Sequence, residues 1–156
     1  VRRAARLGYP WLINPHAAMP NIYRQMQIYN DTISAAGLTP PKDRPFMREL
    51  YIAKTIKNAH KLSHAYLAGK YESYAKWGQD KVLPGNESFE IPYEELARDR
   101  FLIGDPQYII ERLTQYQTDL GINYSIFRMQ WADMPHAQVM NEIELMGKYV
   151  IPALHD

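Results

Sequence analysis

Apolar positions in this chain fall into two kinds of run, and their alternation sets the fold. Over 21–36, Ile22, Met26, Tyr29 and Ile33 recur three or four apart, which predicts one face of a helix closed by Gly37. A second helix is expected from the capping residue Thr55 to about Trp77, ahead of Gly78. Its broad buried stripe takes in Ile56, Ala59, Leu62, Ala65, Tyr66 and 68–71. A third starts at Asp105 and Pro106 and carries Ile109, Ile110, Leu113 and Tyr116 up to Gly121. A last one starts at Pro135, packs Val139, Ile143, Leu145, Met146 and Val150 inward, and stops at Pro152. Between them lie short apolar segments that read as strands: Trp11-Leu12-Ile13, 46–53 and 122–129.

Strands separated by helices this long imply parallel pairing, because parallel neighbours need long crossovers. The expected class is α/β, as the C-terminal part of a TIM-type (β/α)8 barrel with about three parallel strands and long flanking helices. A small doubly wound sheet is the alternative. The barrel reading comes from phase. The sequence opens without a methionine, partway through a helical stretch over 1–7, so a missing N-terminal barrel portion is expected. A complementary chain or a second copy can cover the open strand edge instead. Residues 79–100 break the rhythm. Pro84-Gly85-Asn86 marks a turn and a short helix fits 93–97, so the stretch reads as an insertion or lid-like connection.

Composition narrows the function class. Lys and Arg number 18 against 17 Asp and Glu, so no overall field favours nucleic acid or an anionic membrane. Cysteine is absent, which removes disulfides, thiolate metal sites and cysteine nucleophiles and fits a cytoplasmic protein. No apolar run reaches the roughly 20 residues of a membrane span.

In a barrel, chemistry belongs beyond the C-terminal ends of the strands. The first such end offers Asn14 and His16, and the third offers Arg128, Gln130 and Trp131. Arg128 can neutralise an anion or a developing charge, Gln130 can hydrogen-bond a carbonyl or amide edge, and Trp131 can wall a cavity. The same three can equally tie down a strand end and cap the core. His16, with an unperturbed pKa of about 6.5, can move a proton near neutrality or satisfy loop hydrogen bonds. Arg48 and Glu49, inside the second strand, read as internal polar links or as support for an adjacent chain. His60 and His64 share a helical face, but Lys61, Leu62 and Ser63 between them lack the glutamate of a zinc-binding helix, so no metal is expected.

Several motifs at these punctuations carry a resemblance. They are Arg3-Ala4-Ala5-Arg6-Leu7-Gly8 leading to Trp11, Arg48-Glu49-Leu50-Tyr51-Ile52-Ala53, Tyr74-Ala75-Lys76-Trp77-Gly78, and Phe101-Leu102-Ile103-Gly104-Asp105-Pro106. They continue as Leu120-Gly121-Ile122-Asn123, Arg128-Met129-Gln130-Trp131-Ala132-Asp133-Met134-Pro135-His136, and Val150-Ile151-Pro152-Ala153-Leu154. In order and spacing the set resembles the C-terminal portion of the bacterial-luciferase-like flavin-dependent monooxygenase family, over nearly the whole chain. The resemblance implies a barrel enzyme that uses reduced FMN, supplied by a flavin reductase, and O2 to oxidise a small organic substrate through a flavin peroxide. The deazaflavin F420 is the alternative cofactor, and a nonenzymatic barrel relative or assembly subunit is the alternative of another class. Catalytic roles fall to Arg128 and His16, and cofactor-binding roles to Asn14, Gln130 and Trp131. The resemblance also implies a homo-oligomer and places much of the flavin contact surface upstream, so 1–156 alone is expected to be inactive.

Overall fold

The central strand, β1 (Pro45–Ile52), is buried along almost its whole length, and its side chains alternate between two separate cores. Phe46, Leu50 and Ile52 enter one, whereas Tyr51 and the following Ala53 enter the other. A computed structural model describes residues 1–83 and 85–155 of the chain; Pro84, from the expected Pro84-Gly85-Asn86 turn, lies outside the described residues. Two further strands, β2 (Phe101–Gly104) and β3 (Tyr124–Arg128), pair in parallel with the two edges of β1, giving the order β2-β1-β3. The protein is thus α/β with a three-stranded parallel sheet.

Helices cover both faces. The first core receives Ile22, Met26, Tyr29 and Ile33 of α2 (Met19–Ala35), after a short α1 (Arg2–Arg6). The second receives Ala59, Leu67 and Tyr71 of α3 (Ile56–Lys76), and Leu96 and Ala97 of α4 (Tyr93–Arg98). From α5 (Pro106–Leu120), Ile109, Leu113, Tyr116 and Leu120 return to the first core. Caps set the helix ends as their residue types dictate. Thr55 accepts the Asn58 N–H at 3.2 Å, Asp105 accepts the Tyr108 N–H at 3.0 Å, and Gly121 ends α5 at φ 68°.

The strands differ from the sequence expectation in two places. Trp11-Leu12-Ile13 contributes only a single parallel bridge, Ile13 to Phe46, since Pro10 and Pro15 leave little chain between them with donors to pair. β2 lies where no strand was expected. Its four residues are all buried and show no alternation to mark them.

The helices differ in two places as well. α3 turns Ala59, Ser63, Leu67 and Tyr71 inward and leaves Ile56 and Leu62 exposed, a rotation that carries Lys70 to β1. Pro152 does not stop the last helix. α6 (His136–Leu145) passes through a π-helical stretch, Met146–Val150, into α7 (Ile151–His155). Proline lacks an N–H and crowds the preceding turn; the wider turn, in which the Ile151 N–H bonds the Met146 carbonyl, takes up the mismatch. Met146 and Val150 are buried there, while Ile143 faces solvent. Among the described residues, no helix is long and apolar enough to cross a membrane.

Candidate functional site

Consecutive residues of β1, Arg48 and Glu49 point to opposite faces, and both are buried. A charge taken out of water must find partners inside. Glu49 finds three. Lys70 of α3 pairs with one carboxylate oxygen, Arg128 at the end of β3 stands 3.5 Å from the same oxygen, and the Trp131 indole N–H donates to the other at 2.9 Å. Sheet register explains the meeting, because Glu49 lies opposite Arg128 in the β1–β3 ladder and paired residues project to one face.

A cleft of about 720 Å³ opens beside this carboxylate, lined by Lys70, Tyr74, Trp77, Arg128, Gln130 and Trp131 among others. Three of the residues expected from sequence, Arg128, Gln130 and Trp131, therefore share one cavity. Sequence reasoning missed the contribution of α3. Its signal is the spacing of Tyr66, Lys70, Tyr74 and Trp77, which makes a cationic and aromatic stripe along one helix face. Trp77 is 71% exposed and forms an open wall. Lys70 and Arg128 face Glu49 and Asp133 here, so the formal charges balance and a ligand's negative group would have to meet the two cations locally.

Asn14 and His16 sit outside this lining. The Asn14 side chain accepts the His16 backbone N–H at 2.6 Å, and its carbonyl accepts from the Arg48 guanidinium at 2.9 Å. His16 Nδ1 lies 3.0 Å from the Tyr71 hydroxyl, and its ring meets those of Tyr71 and Tyr74 edge-on. Tyr74, a cleft residue, links the two groups. Burial, then the charges of Lys70, Arg128 and Arg48, lower the His16 pKa from 6.5 to about 4. The imidazole is neutral near pH 7. Arg48 also contacts Met19 Sδ at 2.9 Å and lies over the Phe46 ring; burial lowers its pKa to about 10, which still leaves it charged.

Residues 79–100 are tied to the same loop. The Glu87 carboxylate accepts the Ala18 N–H and the Asn21 amide, and pairs with Arg100 at 2.6 Å. Arg100 in turn donates to the His16 carbonyl at 3.1 Å, and Phe89 packs edge-on against Tyr71. On the far side of α3, His60 and His64 are exposed, and His64 packs on Tyr93. No group of three or more potential metal ligands occurs among the described residues.

No protein-family profile matches the chain, and no curated protein matches it in sequence. Solved structures do match in fold. Monooxygenase RslO1 from Streptomyces bottropensis superposes with a TM-score of 0.67 at 16% identity, over 98% of this chain and 44% of that one. The oxygenating constituent of 3,6-diketocamphane monooxygenase from Pseudomonas putida is similar too. This type II Baeyer–Villiger monooxygenase, solved in complex with FMN, gives a TM-score of 0.67 at 19% identity, over 97% and 44%. MsnO8 gives 0.55 at 20%, over 95% and 46%. The chain therefore spans less than half the length of these structures, and the likeness at such identities is one of fold.

Proposed function

We propose that the chain is the C-terminal portion of a luciferase-like flavin-dependent monooxygenase barrel, with 79–100 as its lid-like connection. It works in the cytoplasm on a small organic substrate with reduced FMN and O2. The observation that carries this reading is the cleft in which Lys70 and Arg128 converge on Glu49 between aromatic walls. Those residues can serve FMN, which joins a planar ring to an anionic phosphate: Lys70 and Arg128 offer cations beside Asp133, and the Trp77 and Tyr74 rings offer faces for stacking. The fold likeness to monooxygenases, one of them solved in complex with FMN, supports the same reading.

When bound, FMN supplies the redox chemistry. The chain supplies position and electrostatics. Arg128 and Lys70 hold negative charge in place, Glu49 fixes the two cations and Trp131, and Gln130 offers an amide to a carbonyl or imide edge. Tyr74 and Trp77 offer aromatic faces to the ring system. His16, neutral and bonded to Tyr71, supports the inner wall. A missing N-terminal barrel portion or complementary chain completes the site, a homo-oligomer and a flavin reductase complete the system, and 1–156 alone does not turn over.

Flavin fluorescence, titrated with the chain joined to the rest of its barrel, tests the proposal. Saturable FMN binding is expected. Arg128→Ala removes a charge-assisted contact of about 1.5–3 kcal/mol, so affinity falls roughly tenfold or more, while Lys70 and Trp131 still hold Glu49 and the assembly stays folded. Substrate-dependent O2 uptake distinguishes FMN oxygenation from F420 hydride transfer. A complete assembly that takes up neither cofactor overturns the reading.

A further inference from the structure

A second cleft of about 490 Å³ lies beyond the carboxyl end of β1, bounded by the first turns of α3 and by α6. In parallel α/β folds, barrel or open sheet, ligands bind beyond the carboxyl ends of the strands.

Glu142 of α6 lines this cleft and is 1% exposed. Its Oε2 accepts the Ile52 N–H at 3.2 Å. That amide belongs to the edge of β1 served by β3, past the last β3 residue, Arg128, so the carboxyl takes the place of the next strand carbonyl. Its Oε1 is buried with no hydrogen-bond partner among the described residues. A buried oxygen of that kind is unfavourable unless something satisfies it. Burial raises the Glu142 pKa to about 8, and no cation contributes, so the group is chiefly the neutral acid near pH 7. With Oε2 accepting from Ile52, Oε1 bears the proton and needs an acceptor.

Its surroundings indicate which acceptor. Lys54 and Lys148 line the cleft against one acid, Glu144, so the lining is net positive when Glu142 is protonated. The amides of Asn58 and Asn141 add donors. We propose that this crevice binds a small organic carboxylate, with the Glu142 acid donating to one ligand oxygen and the lysines meeting the negative charge. An acid-to-carboxylate hydrogen bond is of the short, charge-assisted kind. The site is separate from the Arg128 cleft. Tyr51 stands between them, its ring stacked on Trp131 and its hydroxyl 3.3 Å from Gln138 of the crevice. The inference does not rest on the flavin reading.

The titratable groups around Glu142 are Tyr51 from β1, Lys148 and Tyr149 from the π-helical stretch, Lys54 after β1, and Glu144 on its own helix. Glu142 changes charge near pH 8 and sets the expected pH dependence. The test is an NMR titration of the full chain with benzoate, following the Ile52 amide, with benzamide and benzylamine as controls and FMN absent. Benzoate is expected to saturate on the acid side of about pH 8 and to weaken on the alkaline side, approaching tenfold per pH unit. Glu142→Gln keeps a donor, so it should retain binding and lose the pH dependence; Lys148→Glu should weaken binding severalfold. Benzylamine binding in place of benzoate, no saturable Ile52 shift in the folded wild-type chain, or an unchanged pH slope in Glu142→Gln each overturns the proposal.

Discussion

The Trp131 indole N–H reaches across 82 residues of sequence to donate to Glu49 at 2.9 Å. This bond anchors the loop after β3 to the centre of the sheet. Trp131→Phe leaves a buried carboxylate oxygen short of a donor, so a loss of about 1–3 kcal/mol is expected in urea unfolding. Glu49→Ala strands Lys70 and loosens Arg128 and Trp131 together; breaking a buried pair from one side costs about 3–5 kcal/mol. A Glu49→Ala protein as stable as the parent would show that the three contacts do not act on one carboxylate.

Stability should bend with pH in two opposed directions. Unfolded His16 takes up a proton below 6.5, whereas the folded imidazole waits until about 4, so stability falls as pH drops through that window. Unfolded Glu142 loses its proton above 4.5, whereas the folded carboxyl keeps it to about 8, so stability falls as pH rises through that one. His16→Gln should flatten the acid limb and Glu142→Gln the alkaline limb of urea midpoint against pH. Identical profiles for the variants and the parent would refute both assignments.

A methyl group on Gly104 would meet Tyr108 Cδ1 at 2.4 Å and Cγ at 2.9 Å. These atoms sit near the base of the ring, at the start of α5, and cannot swing away cheaply. Gly104→Ala is expected to cost about 1–3 kcal/mol by overpacking. Thermal unfolding checks it, and Tyr108→Ala in the same chain should restore part of the loss.

The Glu87–Arg100 pair holds 79–100 against the loop that carries His16. Glu87→Ala leaves Arg100 buried without its carboxylate, at about 3–5 kcal/mol. Hydrogen exchange should show Ala18 and Phe89 losing protection together. Loss at Phe89 with Ala18 unchanged would mean that the segment moves independently of the His16 loop.

Periodicity made α2 and α5 legible, because Ile22, Met26, Tyr29 and Ile33, and Ile109, Leu113 and Tyr116, all reach the first core. It failed at β2, where burial of all four residues erased the alternation, and at Pro152, where a π-helical stretch absorbed a residue that ordinarily ends a helix. Arg128, Gln130 and Trp131 were legible as a group because they follow one strand end. Lys70 was not. Its meeting with Glu49 depends on how α3 rotates against the sheet, and helical periodicity alone left that rotation wrong by the width of Ile56 and Leu62. Glu142 was invisible for a related reason, since a carboxyl can replace a missing strand carbonyl only once the end of β3 is known.

Arg48 and Glu49 also bear on how the chain avoids misfolding. A one-residue slip of β1 exchanges its two faces. Arg48 would then stand among Lys70 and Arg128, and Glu49 would face the Asn14 carbonyl and the thioether of Met19, neither of which donates a proton. Each slipped partner is a buried charge in the wrong company, and the apolar residues of β1 alone impose no such penalty. Two neighbouring charges of opposite sign thus give the central strand a polarity across its faces, and that polarity discriminates against the out-of-register sheet.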